Sequence, residues 1–186
     1  VPLVSDGADE QPRAHPRLLF DGPMLEAMAA KAGSADPACR HWADRLQGVR
    51  GAIGDPPAMP DADAGPDAGR TRRLVGQAAG QLERWVMTGD KSAIAYATAC
   101  IKAADRVLDL PARTSLHLGG ISARLGLAYD AFAPHIPEAD RGPWRRVLGG
   151  YLKVYLASAR HRHWDCKTIA NANAVCNGGG GMIALA

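Results

Sequence analysis

The sequence predicts an all-α fold built from antiparallel helix hairpins, arranged as an α-solenoid or as part of an (α/α) toroid. Apolar residues recur at spacings of three and four along most of the chain, and no strand pattern stands out. Short turns such as Thr88-Gly89-Asp90 separate successive helical segments, which implies antiparallel neighbours. The hairpins follow one another at a spacing of roughly 40–50 residues, a period typical of helical-repeat architectures.

The helices have individual start and stop signals. A first helix is expected to begin at Asp21-Gly22-Pro23 and to end at Gly33-Ser34. Asp36-Pro37 opens a second helix whose apolar positions extend to Ile53, and residues 54–69 are expected to form a long loop. Further helices are predicted over about 71–87, 91–108 and 116–132, then from Pro137, and from Asn171 or Asn173 to the last residue.

Composition restricts the class of protein. The chain has 186 residues, of which 47% are hydrophobic and 22% charged, as in an ordinary globular domain. Aromatic residues make up only 5%, and a core of small residues favours closely packed helices. The net charge of +3 suits an anionic ligand but is too weak to indicate nucleic acid. No segment approaches the roughly 20 apolar residues of a membrane span, so no membrane partner is predicted.

The four cysteines do not have the spacing of a zinc site. Cys39, Cys100, Cys166 and Cys176 are widely and irregularly separated, and buried thiols are the main expectation. A disulfide between Cys166 and Cys176 stays open as an alternative. No cofactor and no metal site is predicted.

The segment from Ala170 to Gly181 contains three asparagines, Asn171, Asn173 and Asn177, followed by four glycines. Asparagine offers one acceptor and two donors without a charge, so the group could bind sugar hydroxyls or carboxylates. Glycines would let a ligand approach closely. The alternative is structural: one asparagine caps a helix, and the glycines form a close packing contact.

A second cluster follows the sixth helical segment. His161, Arg162, His163 and Trp164 could bind an acidic sugar, since Trp stacks on a pyranose face and cationic groups hold anions. The alternatives are a solvated basic loop or, with Asp165 or Cys166, a metal site of no established spacing. His117 at a helix start could line a cleft or be a structural histidine. Arg72 and Arg73 are expected to be a solvated helix end.

Four landmarks in order resemble the N-terminal region of heparinase II/III-like polysaccharide lyases. They are HPRLLF at residues 15–20, the TGD turn at 88–90, LGLAYD at 125–130 and N-x-N-x-V-x-x-G-G from Asn171. The resemblance implies an (α/α) toroid followed by a β-sandwich domain. Residues 1–186 would then be the N-terminal part of the toroid, without the sandwich. The apolar end of the last helix, which lacks a C-cap glycine, also suggests that the natural domain continues.

The resemblance also implies a chemistry, β-elimination on uronic-acid-containing polysaccharides. Neutralising the substrate carboxylate stabilises the carbanion that forms at C5, and by position this role falls to Asn171, with Asn173 as its neighbour. Asn177, His117 and the cluster at residues 161–164 would bind substrate. The base and the acid of the family lie further along, outside this chain. An acidic polysaccharide, the remainder of its own chain and a periplasmic or secreted location are the expectations that follow.

The Asn-rich segment departs from the family at two positions. Ala170 stands where many relatives have an asparagine, and Ala172 where they have an aromatic residue or histidine. This departure favours the alternative function, a non-catalytic carbohydrate-binding or helical-repeat scaffold module. The chain also starts at Val1 rather than Met, which suggests a processed or trimmed end.

Overall fold

The computed structural model describes residues 22–32, 34–45, 53–161 and 171–186. These residues contain helices, turns and loops and no strand, so the predicted all-α class is confirmed. In chain order the helices are α1 (Gly22–Ala32), α2 (Pro37–Arg45), α3 (Ala68–Thr88), α4 (Ser92–Arg106), α5 (Leu116–Phe132), a 3-10 turn (Ala133–His135), α6 (Glu138–Arg160) and α7 (Asn171–Leu185).

Side-chain caps set where several helices begin. The carboxylate of Asp36 accepts a hydrogen bond from the backbone N–H of Ala38 at 2.7 Å, as its position before Pro37 predicted. Asp67 and Ser115 act in the same way at the starts of α3 and α5. The second predicted helix does not reach Ile53, which lies in the non-helical segment that precedes α3. The predicted long loop of residues 54–69 is present but ends earlier than expected, because Asp67 caps a helix that begins at Ala68.

The Thr-Gly-Asp turn reverses the chain between α3 and α4. Gly89 has a φ of 65°, a left-handed conformation that favours glycine, and its N–H donates to Trp85 O. Thr88 Oγ1 accepts from the N–H of Asp90, whose carboxylate in turn accepts from the N–H of Ser92 at 2.9 Å. The hydrogen bonds from Ser92 hold the pKa of the Asp90 carboxyl below its ordinary value. The motif therefore has a complete structural explanation.

Consecutive long helices run antiparallel, as predicted for hairpins. Thr71 Oγ1 at the start of α3 donates to Val107 O just after the end of α4 at 2.8 Å. The backbone N–H of Thr114, just before α5, donates to Ser158 Oγ near the end of α6 at 3.1 Å. The start of one helix therefore lies beside the end of the next in both pairs.

The five long helices form two layers. In the first layer α5 and α7 run parallel, because Gly119 faces Val175 and, two turns on, Gly126 faces Met182. Helix α3 packs on the opposite side of α5 in the same direction, as the two chain reversals between them require. In the second layer α4 lies beside α6, joined by ion pairs. The N-termini of α3, α5 and α7 therefore lie at one end of the molecule.

Alanine dominates the contacts between α3 and α4. Ala78, Ala97 and Ala104 are fully buried, and such small side chains let helix axes approach closely. Aromatic side chains fill the centre of the core, where the fully buried Trp144 packs against Tyr129 and Phe132. The expectation of a small-residue core is thus confirmed.

Glycines make the contact between α5 and α7 tight. A Cβ atom on Gly119 would lie 2.7 Å from Val175 O, and one on Gly126 would lie 2.9 Å from Met182 O. A Cβ on Gly179 would clash with Gly119 O, since real Cβ contacts of this kind are not found. The structural alternative for the glycine run, a close packing contact, is therefore correct for Gly179.

Candidate functional site

A cavity lies at the end where the helices of the first layer begin. It has a volume of about 610 Å³, within the range of small-molecule binding sites. The first turns of α3 and α5 form two of its walls, the segment after α4 forms a third, and Tyr151 of α6 lies at its base. His117, the second residue of α5, lines this cavity and is exposed.

Six polar residues line the cavity, and they come from four parts of the chain. Arg72 and His117 come from the first turns of α3 and α5, and neither forms an ion pair with a carboxylate among the described residues. Asp109 and Ser115 come from the segment between α4 and α5, and Tyr151 comes from α6. Leu118 and Ile121 add apolar surface. A cavity with these groups can hold a ligand that has both hydroxyl and anionic groups.

A threonine holds the third wall in place. Thr71 Oγ1 donates to Val107 O at 2.8 Å and accepts from the backbone N–H of Asp109 at 3.1 Å. Thr71 is buried, and Val107 O also accepts from the backbone N–H of Asp67 at 2.9 Å, so the end of α4 is tied to the start of α3 by two hydrogen bonds. The hydrogen bonds fix the backbone that presents Asp109 and Leu110 to the cavity.

Tyr151 is a proton donor rather than a base at neutral pH. Burial raises the pKa of its phenol above the ordinary value, and the neighbouring Tyr155 adds to the effect. The phenol therefore stays protonated and can donate a hydrogen bond to a bound ligand. A Tyr base for β-elimination needs the opposite shift, so Tyr151 does not fit that role.

Groups of both charges line the cavity, since Arg72 and Asp109 both reach it. The N-terminal end of α5 adds a partial positive charge, whereas the carboxylate of Asp67 caps the N-terminal end of α3. Ser115 Oγ accepts from the N–H of Leu118 at 3.1 Å, so one N–H group of the α5 end is already satisfied. An anionic group placed beside Arg72 would meet the guanidinium and the N-terminal end of α5.

The structure places the Asn-rich segment at the same end but on the other side of α5. Helix α7 begins at Asn171, and its first turns pack against α5 on the face opposite the cavity. Asn173 and Asn177 lie inside the helix, so neither is its N-cap. Asn177 is exposed, whereas the side chains of Asn171 and Asn173 lie outside the described residues. The structure thus brings His117 together with Arg72, and not with Asn171.

The second predicted cluster is described only at its first residue. His161 follows the last turn of α6, is exposed and lies at the same end of the molecule as the cavity. Arg162, His163 and Trp164 lie outside the described residues, as does Cys166, the proposed disulfide partner of the buried Cys176. No group of three or more His, Cys, Asp or Glu side chains that could hold a metal occurs in the described part of the chain.

Sequence reasoning missed four residues of the cavity. Arg72 is exposed at the start of α3, as expected, and it also lines the cavity that His117 lines. No sequence pattern marked Asp109, Ser115 or Tyr151 as a cavity residue. The hairpin order could have predicted part of the cavity. Alternate helices of successive hairpins start at the same end, which places the first turns of α3 and α5 side by side.

Comparison of the chain with family models, with curated proteins and with solved structures found no match. None of the described helices has the length and hydrophobicity that a bilayer crossing requires. The described residues thus form a two-layer, all-helical fold with a polar cavity at one end, lined by Arg72, Asp109 and His117 among others.

Proposed function

We propose that this chain is the helical, polysaccharide-binding part of a lyase that cleaves uronic-acid-containing polymers by β-elimination. The observation that carries the proposal is the meeting of Arg72 and His117 in a cavity of about 610 Å³ that also offers hydroxyl and carboxylate groups. Arg72 would hold the uronate carboxylate, because a guanidinium matches a carboxylate in bidentate geometry. The N-terminus of α5 would add partial positive charge near it, and His117 could donate a hydrogen bond.

The remaining groups suit the rest of a sugar ring. Asp109 can accept hydrogen bonds from hydroxyls, and the neutral phenol of Tyr151 can donate one. Leu118 and Ile121 offer an apolar surface to the C–H face of the ring. A neutral sugar would use these groups but not Arg72, so the cavity would favour acidic over neutral saccharides.

The catalytic part of the proposal rests on Asn171 and on the family resemblance. Asn171 starts the third parallel helix of the layer, one helix beyond the cavity. A polymer lying across the N-terminus of α5 would reach both the cavity and Asn171. In this arrangement the cavity binds one uronate unit, and Asn171 would neutralise the carboxylate of another. The finer architecture that we propose is a partial (α/α) toroid, completed by further helices and a β-sandwich that supply the base and the acid.

A non-catalytic carbohydrate-binding module is the second candidate, and two observations favour it. Ala170 and Ala172 replace residues that many relatives use, and the raised pKa of Tyr151 removes the one cavity tyrosine as a base. The two candidates share the cavity and differ in turnover. A protein that carries this chain with its natural continuation forms unsaturated uronate product if it is a lyase, and none if it is a binding module.

Binding of uronate oligosaccharides to matched arginine variants tests the cavity. Arg72→Ala is expected to weaken binding by about 10–100-fold, the usual effect of losing a charged hydrogen bond. Arg73→Ala is the control, since Arg73 is an exposed neighbour that does not line the cavity. Calorimetry with an acidic oligosaccharide and with its methyl ester measures both effects. Equal losses in the two variants, or equal affinity for acid and ester, would rule the proposal out.

A further inference from the structure

A second cavity, of about 360 Å³, lies at the opposite end of the molecule. Its walls come from the first turns of α4, from the 3-10 turn and from the start of α6. Since α4 and α6 run against the first layer, these N-termini point away from the first cavity. The second cavity is therefore separate from the proposed polysaccharide site.

Basic groups predominate around this cavity. Lys91, Lys102 and His135 line it, and Asp140 is its single acidic lining residue. Asp140 is already paired with Lys102, at 2.5 Å between carboxylate oxygen and Nζ. Lys91 makes no ion pair with any carboxylate in the described part of the chain, and His135 contacts only the ring of Trp85 there. The cavity thus has a net positive charge with at least one cation that no acid neutralises.

The floor of the cavity contains a buried hydroxyl with an unused donor. Thr98 is 6% exposed, and its Oγ1 accepts from the indole Nε1 of the fully buried Trp144 at 3.3 Å. In this hydrogen bond Thr98 Oγ1 is the acceptor. The hydroxyl hydrogen of Thr98 has no acceptor among the described residues. A buried hydroxyl normally satisfies its donor. A ligand oxygen in the cavity would provide the missing acceptor.

We propose that this second cavity binds a sulfate or phosphate group, with Lys91 and His135 at the rim and the Thr98 hydroxyl at the floor. Ile94 in the first turn of α4 adds apolar surface beside these groups. Ala95 and Ala99 keep the space above Thr98 open. The cavity is larger than one such ion, so the group belongs to a ligand that extends out of it, such as a sulfated or phosphorylated saccharide.

Titration with inorganic sulfate at constant ionic strength, followed by NMR, tests the site. The indole N–H of Trp144 and the amides of Ala95 and Thr98 are expected to shift in a saturable way. Lys91→Ala should weaken binding about three- to fivefold, as expected for an exposed charge contact, and Thr98→Val should also weaken it. Thr98→Ser, which keeps the hydroxyl, and Lys153→Ala, an exposed lysine near the middle of α6, should leave it unchanged.

Two comparisons separate this site from the first and identify the source of the group. Arg72→Ala should leave sulfate binding intact, so loss of the first site does not imply loss of the second. A sulfated oligosaccharide that shifts the same signals more strongly than inorganic sulfate supports an ester-bearing ligand, whereas equal affinities support the free ion. Shifts that chloride reproduces, or that Lys153→Ala removes as fully as Lys91→Ala, would overturn the proposal.

Discussion

Cys100 shows at the scale of a single residue how burial controls chemistry. The side chain is fully buried between helices, and desolvation raises the pKa of the thiol to about 12, against a small opposing effect of its hydrogen bond with Tyr96. Such a thiol is a neutral packing group rather than a nucleophile at ordinary pH. The expectation of buried thiols is confirmed for Cys100 and Cys176, whereas Cys39 is partly exposed and Cys166 lies outside the described residues.

The raised pKa predicts a loss of stability in alkali. Below pH 9 or so the thiol is protonated in the folded and unfolded states, and its contribution is fully present. As pH rises from about 9 to about 12 only the unfolded thiol ionises, so the unfolded state is favoured by up to about 1.4 kcal/mol per pH unit. Urea unfolding at a series of pH values should show this slope, and Cys100→Ala should reduce it. Cys39→Ala, at a partly exposed site, should not.

Helix α7 shows at the scale of an element how neighbouring glycines can have opposite roles. Gly179 lies against Gly119, where a Cβ would clash with the backbone, while Gly178 and Gly181 are exposed with no neighbour within 4 Å of a built Cβ. The same residue type therefore makes the α5–α7 contact possible at one position and weakens the helix at another.

Two alanine substitutions one residue apart should change stability in opposite directions. Gly178→Ala is expected to stabilise the protein by about 0.5–1 kcal/mol, because alanine favours the helix and the site is open. Gly179→Ala is expected to destabilise it by about 1–3 kcal/mol, because the helices must move apart. Thermal or urea unfolding measures both. A stabilising Gly179→Ala would show that α5 and α7 do not pack in this way.

At the scale of the whole molecule, the two-layer arrangement sets the distance between the cavity and the start of α7. The N-termini of α3, α5 and α7 lie at one end, and neighbouring helix axes are about 8–10 Å apart. The cavity between α3 and α5 and the start of α7 are therefore separated by more than one sugar ring. A ligand must be an oligomer to reach both.

Affinity should consequently depend on the length of the oligosaccharide. Short uronate oligosaccharides are expected to bind only in the cavity, and Asn171→Ala should leave their affinity unchanged. Longer ones should bind more tightly, and Asn171→Ala should remove part of this gain. In a catalytically complete protein the same substitution should lower kcat by about 10²–10³, as for the loss of one donor to a developing charge. Length-independent binding would contradict a polymer path across α5.

Local rules were sufficient for most element boundaries. Asp36, Asp67 and Ser115 precede helices because their side chains satisfy N–H groups within three residues, and Gly89 ends α3 because its φ is positive. Helical periodicity placed α5 at its observed bounds. Periodicity gave a wrong result at Ile53. Apolar residues continue to this position at spacings of three and four, but Ile53 is not helical.

The candidate site depended on contacts that local patterns do not contain. His117 was a candidate from its position at a helix start, but its partners Arg72 and Tyr151 lie 45 and 34 residues away along the chain. The second cavity likewise joins Thr98 to His135 across two helices.

The all-α class, the order of the hairpins and the small-residue core could be predicted from the sequence, because caps, turns and periodicity act within a few residues. Which helix ends meet, which glycines are packed and which polar groups share a cavity became clear in the folded chain. These properties depend on the relative direction and close approach of helices, which the packing of side chains far apart in the sequence sets.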